Sequence, residues 1–325
     1  MPPHILIAGL RETGRAIGLA LSRSADPPTV FGYDRDKDIT AAALEAGAFE
    51  RRVLDPRKTA SEVDMVVLAM PPKEAAEWIE DLVLALKPGA ILLDLTPQAH
   101  NPDVHSALAD QAERILRGTL AVSAERLLDQ DPPSTSDVDL FRGGSFGLAV
   151  NPETPEAGIE LALTVAEALG TSPFFIDPAE LEYVVAAVDL LPALLGLMLL
   201  RSLAETPGWD NVQRLAGRPF SSYVDQAALQ GQQLTEILWP RRTSLLGQLD
   251  SLANEVADLQ AALQADTSQQ LEGLVEHALE TRDDWMQVRL ANRPRSGKDS
   301  MPPSRGILGN LFGGGSRRPP DEDRT

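Results

Sequence analysis

Residues 5 to 21, ILIAGLRETGRAIGLAL, run an apolar segment into a glycine-bounded turn and then into a helical pattern. Gly9 and Gly14 stand where the first and third glycines of a G-x-G-x-x-G phosphate-binding turn would stand, and Arg11 replaces the second. In that turn the first glycine makes the bend and the third lets the helix pack closely on the strand. The second lets the backbone approach a pyrophosphate. Arg11 therefore has three readings. It obstructs that approach, it lies over the diphosphate with charge-assisted hydrogen bonds, or it points into solvent. Twenty residues beyond Gly14, Asp34 ends a second apolar run, TVFGYD. A carboxylate there accepts from the ribose hydroxyls of NAD and repels the extra phosphate of NADP. Arg35 beside it keeps NADP open as the alternative. Met70 and Pro71, closing the run VDMVVLAMPP, join the same cofactor-binding set.

These residues need a scaffold, and the first half of the chain supplies its pattern. The runs HILIAGL, TVFGYDRD, DMVVLAMPP, AILLDLTP, SFGLAVNP and SPFFIDP read as buried strands. GRAIGLALSRS, DITAAALEAG, KEAAEWIEDLVLALKPG and PEAGIELALTVAEALG read as the helices between them. Strands alternating with helices of this length predict a Rossmann-like, doubly wound parallel sheet in an α/β domain over 1–178. Beyond it the strand signal stops. Residues 179–292 predict an all-α domain, and TSLLGQLDSLANEVADLQAALQ shows apolar residues at three- and four-residue spacing. The apolar segment around LLPALLGLMLLRSLA exceeds what one small bundle covers, which predicts a homodimer interface. The stretch 293–325 is rich in Pro, Gly and Ser and predicts a disordered tail. Its one apolar cluster, Ile307, Leu308, Leu311 and Phe312, reads as a transient docking motif or as an inert tail.

The bulk numbers narrow the class. A net charge of −19 argues against a broad nucleic-acid or anionic-membrane surface. The charge is uneven: residues 291–325 hold seven Lys/Arg and four Asp/Glu, a net +3 against −22 for the body. There is no cysteine, which removes disulfides, thiolate metal sites and a cysteine nucleophile. With only four histidines besides, no metal site is expected. The longest uninterrupted apolar run, 190–200, is short of the roughly 20 residues that span a bilayer. No basic region precedes the first apolar run, so the expected location is the cytoplasm.

The chain resembles the prephenate/arogenate dehydrogenase family from about residue 4 to 290. The stretches that carry the resemblance are GRAIGLAL, FGYDRD, VDMVVLAMPP and LKPGAILLDLTP, then VDLLPALLGLMLLRSLAE, QRLAG and LLGQLDSLANEVADLQAAL. The resemblance implies an NAD(P)-dependent oxidoreductase that oxidises the ring hydroxyl of prephenate with loss of carbon dioxide, giving 4-hydroxyphenylpyruvate for tyrosine biosynthesis. It also implies a helical dimerisation domain with a small carboxylate substrate held between the two parts.

The departures from the family bear on activity. Where the family has Asp-x-x-Ser-x-Lys, this chain has Asp94-Leu95-Thr96-Pro97-Gln98-Ala99. Its Gly-His-Pro-Met loop aligns with Gly118-Thr119-Leu120-Ala121, its His-Asp pair with Leu181-Glu182, and its Ser-His-Leu-Pro-His segment with Asp189-Leu190-Leu191-Pro192-Ala193. Each family histidine is thus Thr, Leu or Ala. Arg214 matches the arginine that grips a substrate carboxylate, and Tyr223 stands near the family tryptophan, so both are assigned to substrate. His100, just past the fifth strand run, is the candidate proton acceptor; a solvated loop histidine is the plainer reading. Two functions follow: a dehydrogenase of this type with altered or reduced activity, or a non-catalytic, dimeric, nucleotide-binding or regulatory descendant.

Overall fold

The computed structural model describes residues 2–96, 108–128, 138–230 and 234–291. The expectations for His100 and for the tail cluster Ile307–Phe312 lie outside the described residues.

Eight strands form one sheet: β1 His4–Ala8, β2 Thr29–Tyr33, β3 Arg51–Arg52, β4 Met65–Leu68, β5 Ile91–Asp94, β6 Ile115–Ala121, β7 Ser145–Ala149 and β8 Ser172–Ile176. Their order is β3-β2-β1-β4-β5-β6-β7-β8. The order runs outward in both directions from β1 and β4, the arrangement of a doubly wound Rossmann-like sheet. All neighbours pair in parallel except β6 and β7, which are antiparallel with Thr119 opposite Gly147. Two strands, β3 and β6, add to the six read from the sequence. Gly118–Ala121, aligned above with a family loop, is the end of β6.

The parallel strands read as continuous apolar runs because both faces are covered. Alternate residues serve opposite cores. Ile5, Ile7, Met65, Val67, Ile91 and Leu93 pack with Ile17 and Leu21 of α1 (Glu12–Ser22) and with Ala162 and Val165 of the helix Glu156–Leu169. Leu6, Ala8, Val66, Leu68 and Leu92 pack instead with Ile79, Leu82 and Val83. Those three come from the helix Pro72–Ala85, which follows α2 (Lys37–Glu45) and α3 (Pro56–Ala60) and is α4. Asp36 and Asp55 cap α2 and α3 by accepting from backbone amides of the first turn. Pro72 sits in the first turn of α4, where its missing N–H costs nothing.

After β8 every described element is helical. Pro178–Val185 and Leu191–Ala204 run on from each other through one π turn, Ala186–Leu190. Pro192 lies just beyond that turn; without an N–H it cannot close an α-helical bond onto Val188, and the wider turn absorbs the defect. The continuous helix Pro178–Ala204 is long and apolar enough to cross a membrane by length and composition, and only 28% of its most apolar window is buried within one chain. Gly196 lets it approach Arg218–Gln230 closely: a Cβ there would lie 2.2 Å from the Tyr223 carbonyl oxygen. Two helices of 23 residues, Arg242–Gln264 and Gln269–Ala291, complete the described chain. They leave Val256, Leu263, Leu279, Trp285 and Val288 exposed.

Candidate nucleotide-binding site

The turn between β1 and α1 explains its own glycines. Gly9 has φ +99°, a region glycine enters freely, and a Cβ on it would lie 2.5 Å from the Ala69 carbonyl group. A Cβ on Gly14 would lie 1.8 Å from the Gly9 carbonyl oxygen. The fold therefore demands the first and third glycines. It makes no such demand at the second position: Arg11 takes φ −70°, ψ −155°, extended backbone open to any residue. Its side chain is exposed, at the residue that caps α1, where the helix dipole favours an anion.

Asp34 fastens this turn from the neighbouring strand. Its Oδ2 accepts from the Leu10 amide at 2.8 Å and its Oδ1 from the Asp36 amide at 2.9 Å. The Gly9 amide donates to the Tyr33 carbonyl oxygen at 2.8 Å, a second tie between the same two segments. Met70 is buried beside Gly9 and Pro71 half-buried, so the end of β4 closes the third side. The structure thus brings together Gly9, Arg11, Gly14, Asp34, Arg35, Met70 and Pro71 at the carboxyl edge of β1, β2 and β4, where sheets of this kind bind nucleotides. The donor set fits an adenine dinucleotide: backbone amides at a helix start for phosphate, and a carboxylate for ribose.

Two residues of this site escaped the sequence reading. Arg35 is ion-paired to Glu74, Nε to Oε1 at 3.4 Å, and to Glu77, Nη2 to Oε2 at 2.9 Å. Both glutamates lie on one face of α4, three residues apart, and that spacing in KEAAEW was the available signal. Burial pushes the Glu74 carboxyl above its ordinary range; Arg35 pulls it back, Asp34 and Glu77 push it further, and Arg11 also pulls it down.

A second charged cluster joins the sheet to the helices. Glu182, in the helix Pro178–Val185, is held at Oε1 by Arg117 Nη1 of β6 at 2.6 Å and at Oε2 by Arg241 Nε at 3.1 Å. Arg117 Nη2 also donates to the Pro178 carbonyl oxygen at 3.4 Å, and Arg241 Nη1 to that of Ile237 at 3.4 Å. Asp94, buried at the end of β5, accepts from both the amide and the hydroxyl of Thr96. Burial pushes Asp94 and Glu182 upward, and the two arginines oppose it in each case. The sequence signal for this cluster was faint: one arginine inside the apolar stretch ILRGTLA and an arginine pair in LWPRRT.

The aligned family histidine positions are packed. Leu181 and Val185 join Ala149 in one apolar cluster; Leu190 joins Ala186, Ile237 and Leu245 in another; Ala193 is buried too. Thr119 is half-buried in β6. Arg214 ends the exposed side of the helix Trp209–Leu215, and Tyr223 is largely exposed on Arg218–Gln230, so these two lie in the helical region, apart from the nucleotide turn.

Residues 17–172 match the family model for the prephenate dehydrogenase nucleotide-binding domain. This part of the chain, residues 17–172, belongs to the prephenate dehydrogenase family. The match begins within α1, after the altered turn. Among solved structures, the prephenate dehydrogenase of Aquifex aeolicus, in complex with hydroxyphenyl propionate and NAD+, superposes with a TM-score of 0.71 at 19% identity over 89% of this chain and 99% of that one. Synechocystis arogenate dehydrogenase gives 0.69 at 17% identity over 87% and 99%. At such identities the likeness is one of fold, and it extends through the helical region. No curated protein matches at the sequence level.

Proposed function

We propose that this protein binds an NAD-type dinucleotide at the Gly9–Asp34 turn and is a prephenate/arogenate dehydrogenase-like oxidoreductase of strongly reduced or altered activity. The observation that carries the reading is the intact geometry of that turn, with Gly9 and Gly14 sterically required and Asp34 tied to the Leu10 amide. NAD(P), when bound, supplies a hydride acceptor. Arg214 and Tyr223 take the substrate, Arg214 by clasping a carboxylate with its guanidinium fork. His100 is the remaining proton acceptor. The helical region forms the homodimer interface, because most of the apolar helix Pro178–Ala204 is uncovered in a single chain, and the protein works in the cytoplasm. Calorimetric titration with NAD and with NADP tests the first half of this reading, and binding of neither would end it. Sedimentation tests the dimer, and a monomer at micromolar concentration would contradict it.

A second reading, a non-catalytic nucleotide-binding descendant, is favoured by one specific observation. Leu181 and Leu190, at positions where the family has histidines, are buried among apolar neighbours, and Ala193 at a third such position is buried too. The test that separates the two is turnover: a protein that binds NAD yet oxidises neither prephenate nor arogenate is this descendant.

A further inference from the structure

Resting on the nucleotide-binding reading, we propose that Glu74 and Glu77 decide the cofactor preference: they hold Arg35 against α4, so the chain selects NAD and rejects NADP. The residue after the ribose-binding acid is well placed to offer a cation to a 2′-phosphate. In this protein that cation is already committed to two carboxylates, at 3.4 and 2.9 Å. Freeing it would strand Glu74, whose side chain is only 17% exposed and whose buried Oε1 accepts no hydrogen bond. An acid left without its countercharge at such a site is costly.

The surroundings keep the pair in place. Trp78, one turn from Glu74 on α4, meets Tyr33 edge-on with ring centroids 5.6 Å apart, and the Arg57 guanidinium lies 5.3 Å over the Trp78 ring. Tyr33 immediately precedes Asp34, so α4 is clamped to the end of β2 beside the carboxylates. A 2′-phosphate, which carries about −1.5 to −2 charges, would enter a neighbourhood holding Asp34, Glu74 and Glu77 against Arg35. Arg11 is the other cation acting on Glu74. It stands at the start of α1, away from the 2′ position of the ribose, so its effect is the same for both cofactors.

The test is the ratio of dissociation constants for NADP and NAD, measured calorimetrically. The wild-type protein should bind NAD at least roughly tenfold more tightly, the low end for one charged hydrogen-bond set. In E74Q/E77Q the ratio should fall about tenfold or more, and adding R35A should cancel that fall. Should E74Q not fold, as judged by its melting transition, E77Q alone carries the test, because Glu77 is half exposed; its ratio should still fall. An unchanged ratio in both glutamate variants, or wild-type protein that takes NADP as tightly as NAD, overturns the inference while leaving nucleotide binding standing. Binding of neither cofactor overturns the nucleotide reading itself, and this inference with it.

Discussion

The amide of Leu10 donates to the carboxylate of Asp34 across 2.8 Å, joining the glycine turn of β1 to the end of β2. That side chain fixes the turn, and in the proposed function its remaining lone pairs serve a ribose. Asp34→Asn keeps one acceptor oxygen but loses the charge, and should weaken NAD binding about tenfold to a hundredfold, the range for hydrogen bonds to charged groups. Asp34→Ala should in addition lower the melting temperature, since it leaves the part-buried Leu10 amide without its acceptor. A weakened affinity in Asp34→Ala with an unshifted melting curve would show that the turn holds without this tie.

Arg11 separates what the fold needs from what the ligand needs. Its backbone is ordinary, so glycine there would relieve no strain. Arg11→Gly should therefore change binding more than stability. With the guanidinium over the diphosphate, the variant should bind NAD about tenfold or more weakly, with less dependence on salt. Tighter binding would assign obstruction to Arg11, and no change would place it in solvent.

The pattern of success in reading the sequence follows from the physics. The parallel strands were legible because two-sided burial writes an unbroken apolar run, as in Ile5–Ala8 and Met65–Leu68. Strand β3 is two arginines at the sheet edge and carries no such run. Strand β6 hides its period because Arg117 and Gly118 interrupt it, and nothing local encodes that it meets β7 antiparallel. That Gly9, Gly14 and Asp34 come together was legible from spacing, since one turn and one strand end position them. The Arg35–Glu74 and Arg117–Glu182–Arg241 pairings were not, because each joins elements that only the tertiary fold brings together.

That triad supports a stability prediction. Arg241 is nearly inaccessible, at 3% side-chain exposure, and it pairs with Glu182, which holds Arg117 at bonding distance as well. Glu182→Leu should destabilise the protein by about 3–5 kcal/mol, the usual cost of leaving a buried charge uncompensated. Replacing Arg117 and Arg241 with Met in the same chain should restore much of that loss. Chemical denaturation of the three proteins checks this, and an additive loss in the triple variant would mean that the arginines serve packing rather than pairing.

The last prediction concerns turnover. Oxidising the ring hydroxyl of prephenate requires a base within about 3 Å to take its proton as the hydride leaves. Thr119, Leu181, Leu190 and Ala193 occupy the aligned family histidine positions, and none accepts a proton near neutral pH. Glu182 is no substitute, because both of its oxygens are held by guanidinium groups. Loss of a positioned general base lowers the rate by roughly 10²–10⁴. Prephenate oxidation should accordingly run at least about a hundredfold below that of an enzyme with the histidine, by the same measure. Any residual rate should fall in His100→Ala through kcat and in Arg214→Ala chiefly through KM, the first by proton transfer and the second by carboxylate binding. Purified protein that turns prephenate over at the full rate of a histidine-bearing enzyme, and does so equally in His100→Ala, would refute the assignment.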